Sequence, residues 1–153
     1  MTSYILDVTS IPPMSNDKPK QAIILCHGYG GDGKDISTLA INWQRFLPDA
    51  IFICPNAPEI CNDNPQGYQW FDLSSDNKEL ILEKSLLAEE KLNKFIDQVS
   101  DNFQIDLKNL AMVGFSQGCM ISIQVGLKKK TTNRLLNWII SKNYKSKTFI
   151  RKY

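Results

Sequence analysis

The sequence is short of the residues that metal and disulfide chemistry require. Its 153 residues contain one histidine, His27, and four cysteines at 26, 54, 61 and 119 with no C-x-x-C spacing. A zinc site needs three or four convergent ligands, so no metal and no cofactor are expected. No apolar run approaches the roughly 18–20 residues of a membrane-spanning helix. The start, Met1 to Asp7, lacks the basic residues and apolar stretch of a signal peptide. The expectation is a cytoplasmic protein with no transmembrane segment. Its cysteines are expected as free thiols, three of them packed in or beside strands.

Acidic residues are also missing, but only from one end. Residues 1–126 hold nine Lys plus Arg against sixteen Asp plus Glu, whereas residues 127–153 hold nine basic residues and no acid, the last acid being Asp106. A basic tail can read as a nucleic-acid or anionic-membrane patch. This one has neither a glycine-rich RNA motif nor a well-formed basic amphipathic face, so no nucleic-acid partner is expected. At 42% apolar and 22% charged residues, the chain has the composition of one globular domain.

Three short continuous apolar runs, Gln21 to Cys26, Ala50 to Cys54 and Asn109 to Phe115, read as strands buried on both faces, as in parallel sheets. A further short strand is expected at Ile5 to Val8. Between them, Ile36 to Phe46 carries Leu39, Trp43 and Phe46 at helical spacing behind an Asp35 N-cap. From about Asp76 to Phe103, positions 81, 88, 92, 95, 96 and 99 keep helical period, with Asp76 and Glu79 spaced as a capping box. Residues 56–74, with Pro58, Pro65 and Gly67, form a long excursion of the kind that often serves function. Alternating strands and helices predict an α/β fold with a mainly parallel sheet and flanking helices.

Two strand ends carry candidate chemistry. Gly114-Phe-Ser116-Gln-Gly118 matches G-x-S-x-G directly after a predicted strand. In such an elbow the chain turns so sharply that side chains at the flanking positions would clash, hence the two glycines. His27-Gly-Tyr-Gly30 follows the earlier strand. A hydrolytic elbow holds its oxyanion with two backbone N–H groups, one from the residue after the nucleophile and one from such a loop. Here these would be Gln117 and Tyr29. Read alone, the loop is better taken as a glycine turn at a strand end with a structural His27.

Leu25-Cys-His-Gly-Tyr-Gly-Gly-Asp32, Cys54-Pro-Asn-Ala-Pro58, Tyr68-Gln-Trp-Phe-Asp72 and Val113-Gly-Phe-Ser-Gln-Gly-Cys-Met120 resemble, in order and spacing, the phospholipase/carboxylesterase family of α/β-hydrolases, relatives of acyl-protein thioesterases. The resemblance covers roughly residues 20–126. It implies a serine hydrolase of carboxylic esters or thioesters acting on a small acyl substrate, with Ser116 as nucleophile, Tyr29 and Gln117 as oxyanion donors, and Trp70 near the substrate cleft. From the residues alone, Trp70 and Phe71 read equally well as core aromatics.

In α/β-hydrolases the triad runs Ser, then Asp or Glu, then His. Residues 117–153 contain none of these acids and no histidine, and a serine without a base is a poor nucleophile. His27 is expected to point into structural hydrogen bonds rather than toward Ser116. The expected organisation is therefore residues 1–126 as the N-terminal part of an incomplete α/β-hydrolase domain and residues 127–153 as a basic tail outside the family pattern. Such a switch fits a frameshifted or split reading frame and a truncated fragment inactive alone. Two further readings stay open: an enzyme completed in trans by a chain carrying the missing strands, Asp and His, and a non-catalytic acyl-binding protein. The strand before Ser116 is expected as an exposed edge, with Leu135 to Ile140 as a poor cover.

Overall fold

A computed structural model of the chain describes residues 4–128 and the backbone of Ile139–Ile140. The three apolar runs form β2 (Gln21–Cys26), β3 (Ala50–Pro55) and β6 (Leu110–Phe115). They pair in parallel, with Ile23 opposite Phe52 on one side and Ala111 on the other. β1 (Val8–Ile11) adds an antiparallel edge beside β3, and β7 (Ile139–Ile140) lies parallel to β6, giving the order β1-β3-β2-β6-β7. The first strand thus begins three residues later than expected, because its partner is the end of β3, where Val8 faces Pro55.

Strand alternation divides the core in two. On one face Ala22, Ile24, Cys26, Leu110 and Met112 meet Leu92, Phe95 and Ile96 of α2 (Lys78–Phe103) and Ile121 and Val125 of α3 (Gln117–Lys128). On the other, Ile23, Leu25, Phe52 and Val113 meet Ile36 and Ala40 of α1 (Gly33–Trp43). The predicted helical positions of α2 are those that pack: 88, 92, 95, 96 and 99 are buried and Ile81 leans on the same cluster. Both N-caps differ from expectation. Asp32, not Asp35, caps α1, its carboxylate accepting from the Asp35 N–H at 2.7 Å, and Asn77 caps α2 by accepting from the Glu79 and Leu80 N–H groups. Phe46 falls beyond α1 and is exposed rather than on its buried face.

The excursion after β3 forms a small antiparallel ribbon, β4 (Glu59–Ile60) with β5 (Tyr68–Gln69), and Tyr68 bridges to Gly31 after β2. Of the expected cover for β6, the described part is β7, which pairs with Gly114 and Phe115 only. The rest of Leu135 to Ile140 lies outside the described residues. Among the described residues, Leu110 to Val113 have no second partner strand.

Chain order fixes where a ligand belongs. From β2 the chain passes to β3 on one side and then to β6 on the other, so the strand order reverses between β2 and β6. Crevices in open α/β sheets lie beyond the carboxyl ends of the strands at such a switch point. Those two ends are Cys26, followed by the His27 loop, and Phe115, followed by Ser116.

Candidate active site

β6 ends at Phe115 and α3 begins at Gln117, leaving Ser116 as the entire hinge. Its φ of 51° is left-handed, a costly conformation for a side chain with a Cβ, and the residue is exposed. The flanking glycines are forced by contact: a Cβ on Gly114 would lie 2.5 Å from the Cys119 backbone nitrogen, and one on Gly118 would fall on the carbonyls of Cys26 and His27. Ser116 O accepts the N–H groups of Cys119 and Met120 at 3.0 and 3.2 Å. As the first residue of α3, Gln117 has an N–H with no carbonyl of its own helix to meet.

The loop after β2 reaches the elbow directly, since a Cβ on Gly28 would lie 3.3 Å from the Ser116 Cβ. Neighbouring groups pin it. Gly30 N–H donates to Tyr68 O at 2.9 Å, Gly31 N–H to Gly28 O at 3.1 Å, and Asn64 Nδ2 to Gly30 O at 2.8 Å. Between these tied residues sits Tyr29, whose hydroxyl donates to Asp63 at 3.0 Å. Among the described residues, no chain carbonyl accepts the N–H of Tyr29 or of Gln117. The Tyr29 phenol is held protonated, its pKa raised first by contact with the Cys61 side chain and then by burial and Asp63.

His27 lies beneath this loop, only 2% exposed. The Ala57 backbone N–H can only donate, and it meets His27 Nε2 at 2.9 Å, so that nitrogen is the acceptor and the proton sits on Nδ1, which donates to Gly28 O at 2.7 Å. Burial lowers the imidazole pKa, against smaller opposing effects of the Gly28 carbonyl, Asp32 and Asp35. Both ring nitrogens are thus committed to backbone, as the sequence reading expects.

Trp70 is fully buried, its indole donating to His27 O at 2.9 Å and its ring 5.7 Å from the imidazole. It supports the loop from inside the core. The Gln117 side chain ties the excursion to the elbow: Oε1 accepts the Trp70 N–H at 2.8 Å and Nε2 donates to Phe71 O at 2.7 Å. Sequence reasoning singled out Gln117 for its backbone N–H alone; no local pattern points to partners 46 and 47 positions away.

All four cysteines are free and buried. Burial pushes the Cys26 and Cys54 thiols up to about 12 and raises Cys119 as well, which removes them as nucleophiles at neutral pH. Among the described residues no three His, Cys, Asp or Glu side chains converge on a metal-sized site, and no helix is long and apolar enough to cross a membrane.

Known proteins resemble this chain over much of its length. The family model described as Phospholipase/Carboxylesterase matches residues 12–142. Acyl-protein thioesterase 1 of Candida albicans is 30% identical over 120 residues, 72% of this chain and 52% of that protein. Acyl-protein thioesterase 1 of Schizosaccharomyces pombe is 33% identical over 110 residues, 69% of this chain and 48% of that protein. The crystal structure of esterase PE8 superposes with a TM-score of 0.74 at 35% identity, covering 80% of this chain and 58% of that one. The chain therefore spans about half the length of the curated relatives it matches. It belongs to the phospholipase/carboxylesterase family, and its fold is an incomplete α/β-hydrolase fold.

Proposed function

We propose that this chain carries the nucleophile and oxyanion half of a serine hydrolase site for small carboxylic esters or thioesters, and that it is inactive until a second polypeptide supplies the base. The observation that carries the reading is Ser116 at φ 51° on a strand-to-helix hinge, beside the N–H groups of Gln117 and Tyr29, which no carbonyl among the described residues accepts. In the reaction Ser116 Oγ attacks the acyl carbon. The carbonyl oxygen becomes an oxyanion between the two N–H groups, and the alcohol or thiol leaves with the serine proton. Water then releases the acid from the acyl-enzyme. Trp70 acts from beneath the cleft by holding the His27 carbonyl and, with Gln117, the loop beside it.

Proton transfer is the step this chain does not furnish. No described side chain accepts the Ser116 hydroxyl, His27 has both nitrogens engaged with backbone, and residues 117–153 contain no Asp, Glu or His. A complementary chain bearing Asp and His therefore fits the reading. The same lack of a base supports a second reading, a non-catalytic binder of acyl groups. Four unpaired thiols suit the reducing cytoplasm. The test is hydrolysis of a short-chain thioester by the purified chain and by Ser116→Ala. Equal, background rates are expected. A rate well above background that vanishes in the variant would show that the chain is complete as an enzyme.

A further inference from the structure

The loop after β2 turns between Gly28 and Gly31, closed by the Gly31 N–H on Gly28 O at 3.1 Å. Gly30, at φ 74°, holds the third place of a type II turn, which calls for a left-handed residue. The peptide units here are trans and planar, so the C=O and N–H of each point in opposite directions. That geometry strings three donors in series. Asn64 Nδ2 donates to Gly30 O at 2.8 Å. The N–H in the same plane as that carbonyl belongs to Gly31, which donates to Gly28 O. The N–H in the plane of the Gly28 carbonyl belongs to Tyr29, and no chain carbonyl among the described residues accepts it. Hydrogen-bonded amides in series polarise one another, by about 10–30% per bond, so a donor on Gly30 O strengthens the donor at Tyr29.

The excursion is shaped to aim that amide. Asn64 opens a second turn, Asn64-Pro65-Gln66-Gly67, closed by the Gly67 N–H on Asn64 O at 2.9 Å, with asparagine, proline and glycine at the places such turns favour. The Gln66 N–H donates to Asn64 Oδ1 at 3.4 Å, which leaves Nδ2 for Gly30. A Cβ on Gly67 would overlap the Gly30 carbonyl, so the turn seats directly on the loop. Tyr68 holds other planes of the loop, accepting from the Gly30 N–H and donating to Gly31 O, and leaves Gly30 O to Asn64. His27 Nδ1 meets Gly28 O from the core side. We infer that Asn64 is a positioning residue for the oxyanion donor Tyr29: through the Gly30–Gly31 and Gly28–Tyr29 peptide planes, its amide fixes the direction and strength of the Tyr29 N–H. It acts only through these two planes. The inference rests on the proposed hydrolase reading for the use of that N–H, whereas the relay is measured in the free chain.

The experiment is residue-resolved amide hydrogen exchange and 1H–15N spectroscopy of the full 153-residue chain, compared with Asn64→Ala, Asn64→Asp and Asp63→Ala. Asn64 is exposed, so its variants are expected to fold. In Asn64→Ala the Gly31 N–H is expected to exchange about tenfold faster, the worth of one net hydrogen bond, and the Tyr29 amide proton to move upfield. The Gly30 and Tyr68 N–H groups, whose partners are untouched, are expected to keep their rates within about twofold. Asn64→Asp sets a carboxylate against the Gly30 carbonyl and is expected to move Tyr29 further in the same direction. Asp63→Ala removes the partner of the Tyr29 hydroxyl but spares the relay, so Gly31 exchange is expected to stay as it was. Equal acceleration at Gly30, Gly31 and Tyr68 would make Asn64 a staple of the excursion alone and overturn the inference. An unmoved Tyr29 amide, or acceleration of Gly31 in Asp63→Ala equal to that in Asn64→Ala, would overturn it as well. None of these readouts involves Ser116 or an ester. The hydrolase reading can therefore fail in the thioester assay while the relay stands, and the relay can fail here while that reading stands.

Discussion

Ala57 donates its backbone N–H to His27 Nε2 at 2.9 Å, and that single contact decides what the only histidine of the chain is for. An imidazole whose Nε2 lone pair is taken by a backbone donor, and whose Nδ1 proton is taken by Gly28 O, joins the loop after β2 to the loop after β3. It has no lone pair left for Ser116.

The first prediction concerns acid stability. His27 has its pKa lowered below its ordinary 6.5 in the folded chain, so below about pH 6.5 the unfolded state binds the extra proton and the folded state does not. Stability contributed by neutral His27 is full above that pH and declines as pH falls toward the lowered folded value. Urea midpoints measured from pH 7.5 to pH 5 should fall, and His27→Gln should flatten that part of the profile while lowering stability throughout. A variant with an unchanged slope would show that another group is responsible.

The Gln117 amide is expected to matter for architecture as much as any core residue. Gln117→Ala leaves the Trp70 N–H and the Phe71 carbonyl buried without partners, at a cost of about 2–4 kcal/mol in total. Equilibrium unfolding, read with the buried Trp70 among its fluorophores, measures this. A loss under 1 kcal/mol would mean that the excursion is held by packing alone.

Strain at the hinge gives a change of opposite sign. Ser116→Gly relieves a left-handed residue of its Cβ and should raise stability by about 1 kcal/mol, whereas Gly118→Ala drives a methyl into the carbonyls of Cys26 and His27 and should cost on the order of 4 kcal/mol or prevent folding. Thermal denaturation of both variants checks the pair. Stabilisation by Gly118→Ala, or destabilisation by Ser116→Gly, would contradict the elbow geometry.

At the strand edge, the described pairing of β6 with β7 reaches only Gly114 and Phe115. Amide groups of Leu110 to Val113 that point away from β2 are expected to exchange faster than those of Ala22 to Leu25, and the purified chain is expected to self-associate as concentration rises, because an uncovered strand templates further pairing. Hydrogen exchange with sedimentation velocity decides. A monomer at all concentrations, uniformly protected over 110–113, would mean that the edge is covered.

What could be read from the sequence follows from how local each signal is. β2, β3 and β6 were legible because strands buried on both faces need unbroken apolar runs, and α2 because its buried positions repeat with helical period. The elbow was legible because glycine is dictated within two residues of Ser116. The start of α1 was misplaced because Gly33 reads as loop, yet it is the first helical residue and packs against the Cys54 carbonyl. β1 was shifted because an edge strand takes its register from its partner. The burial of Trp70 and the reach of Gln117 depend on contacts more than 40 positions apart, which no local pattern records. Tyr68 anchors the loop carrying Tyr29, a role that nothing in its neighbouring residues marks.

Whether this chain hydrolyses anything by itself depends on whether its Ser116 is activated. The direct measurement is the intact mass of the purified 153-residue protein after incubation with a fluorophosphonate, with Ser116→Ala as the control. An unmodified mass for both proteins is the expected result. A single adduct on the unaltered chain, mapped to Ser116 and absent from the variant, would contradict it and require a base among the residues of this chain.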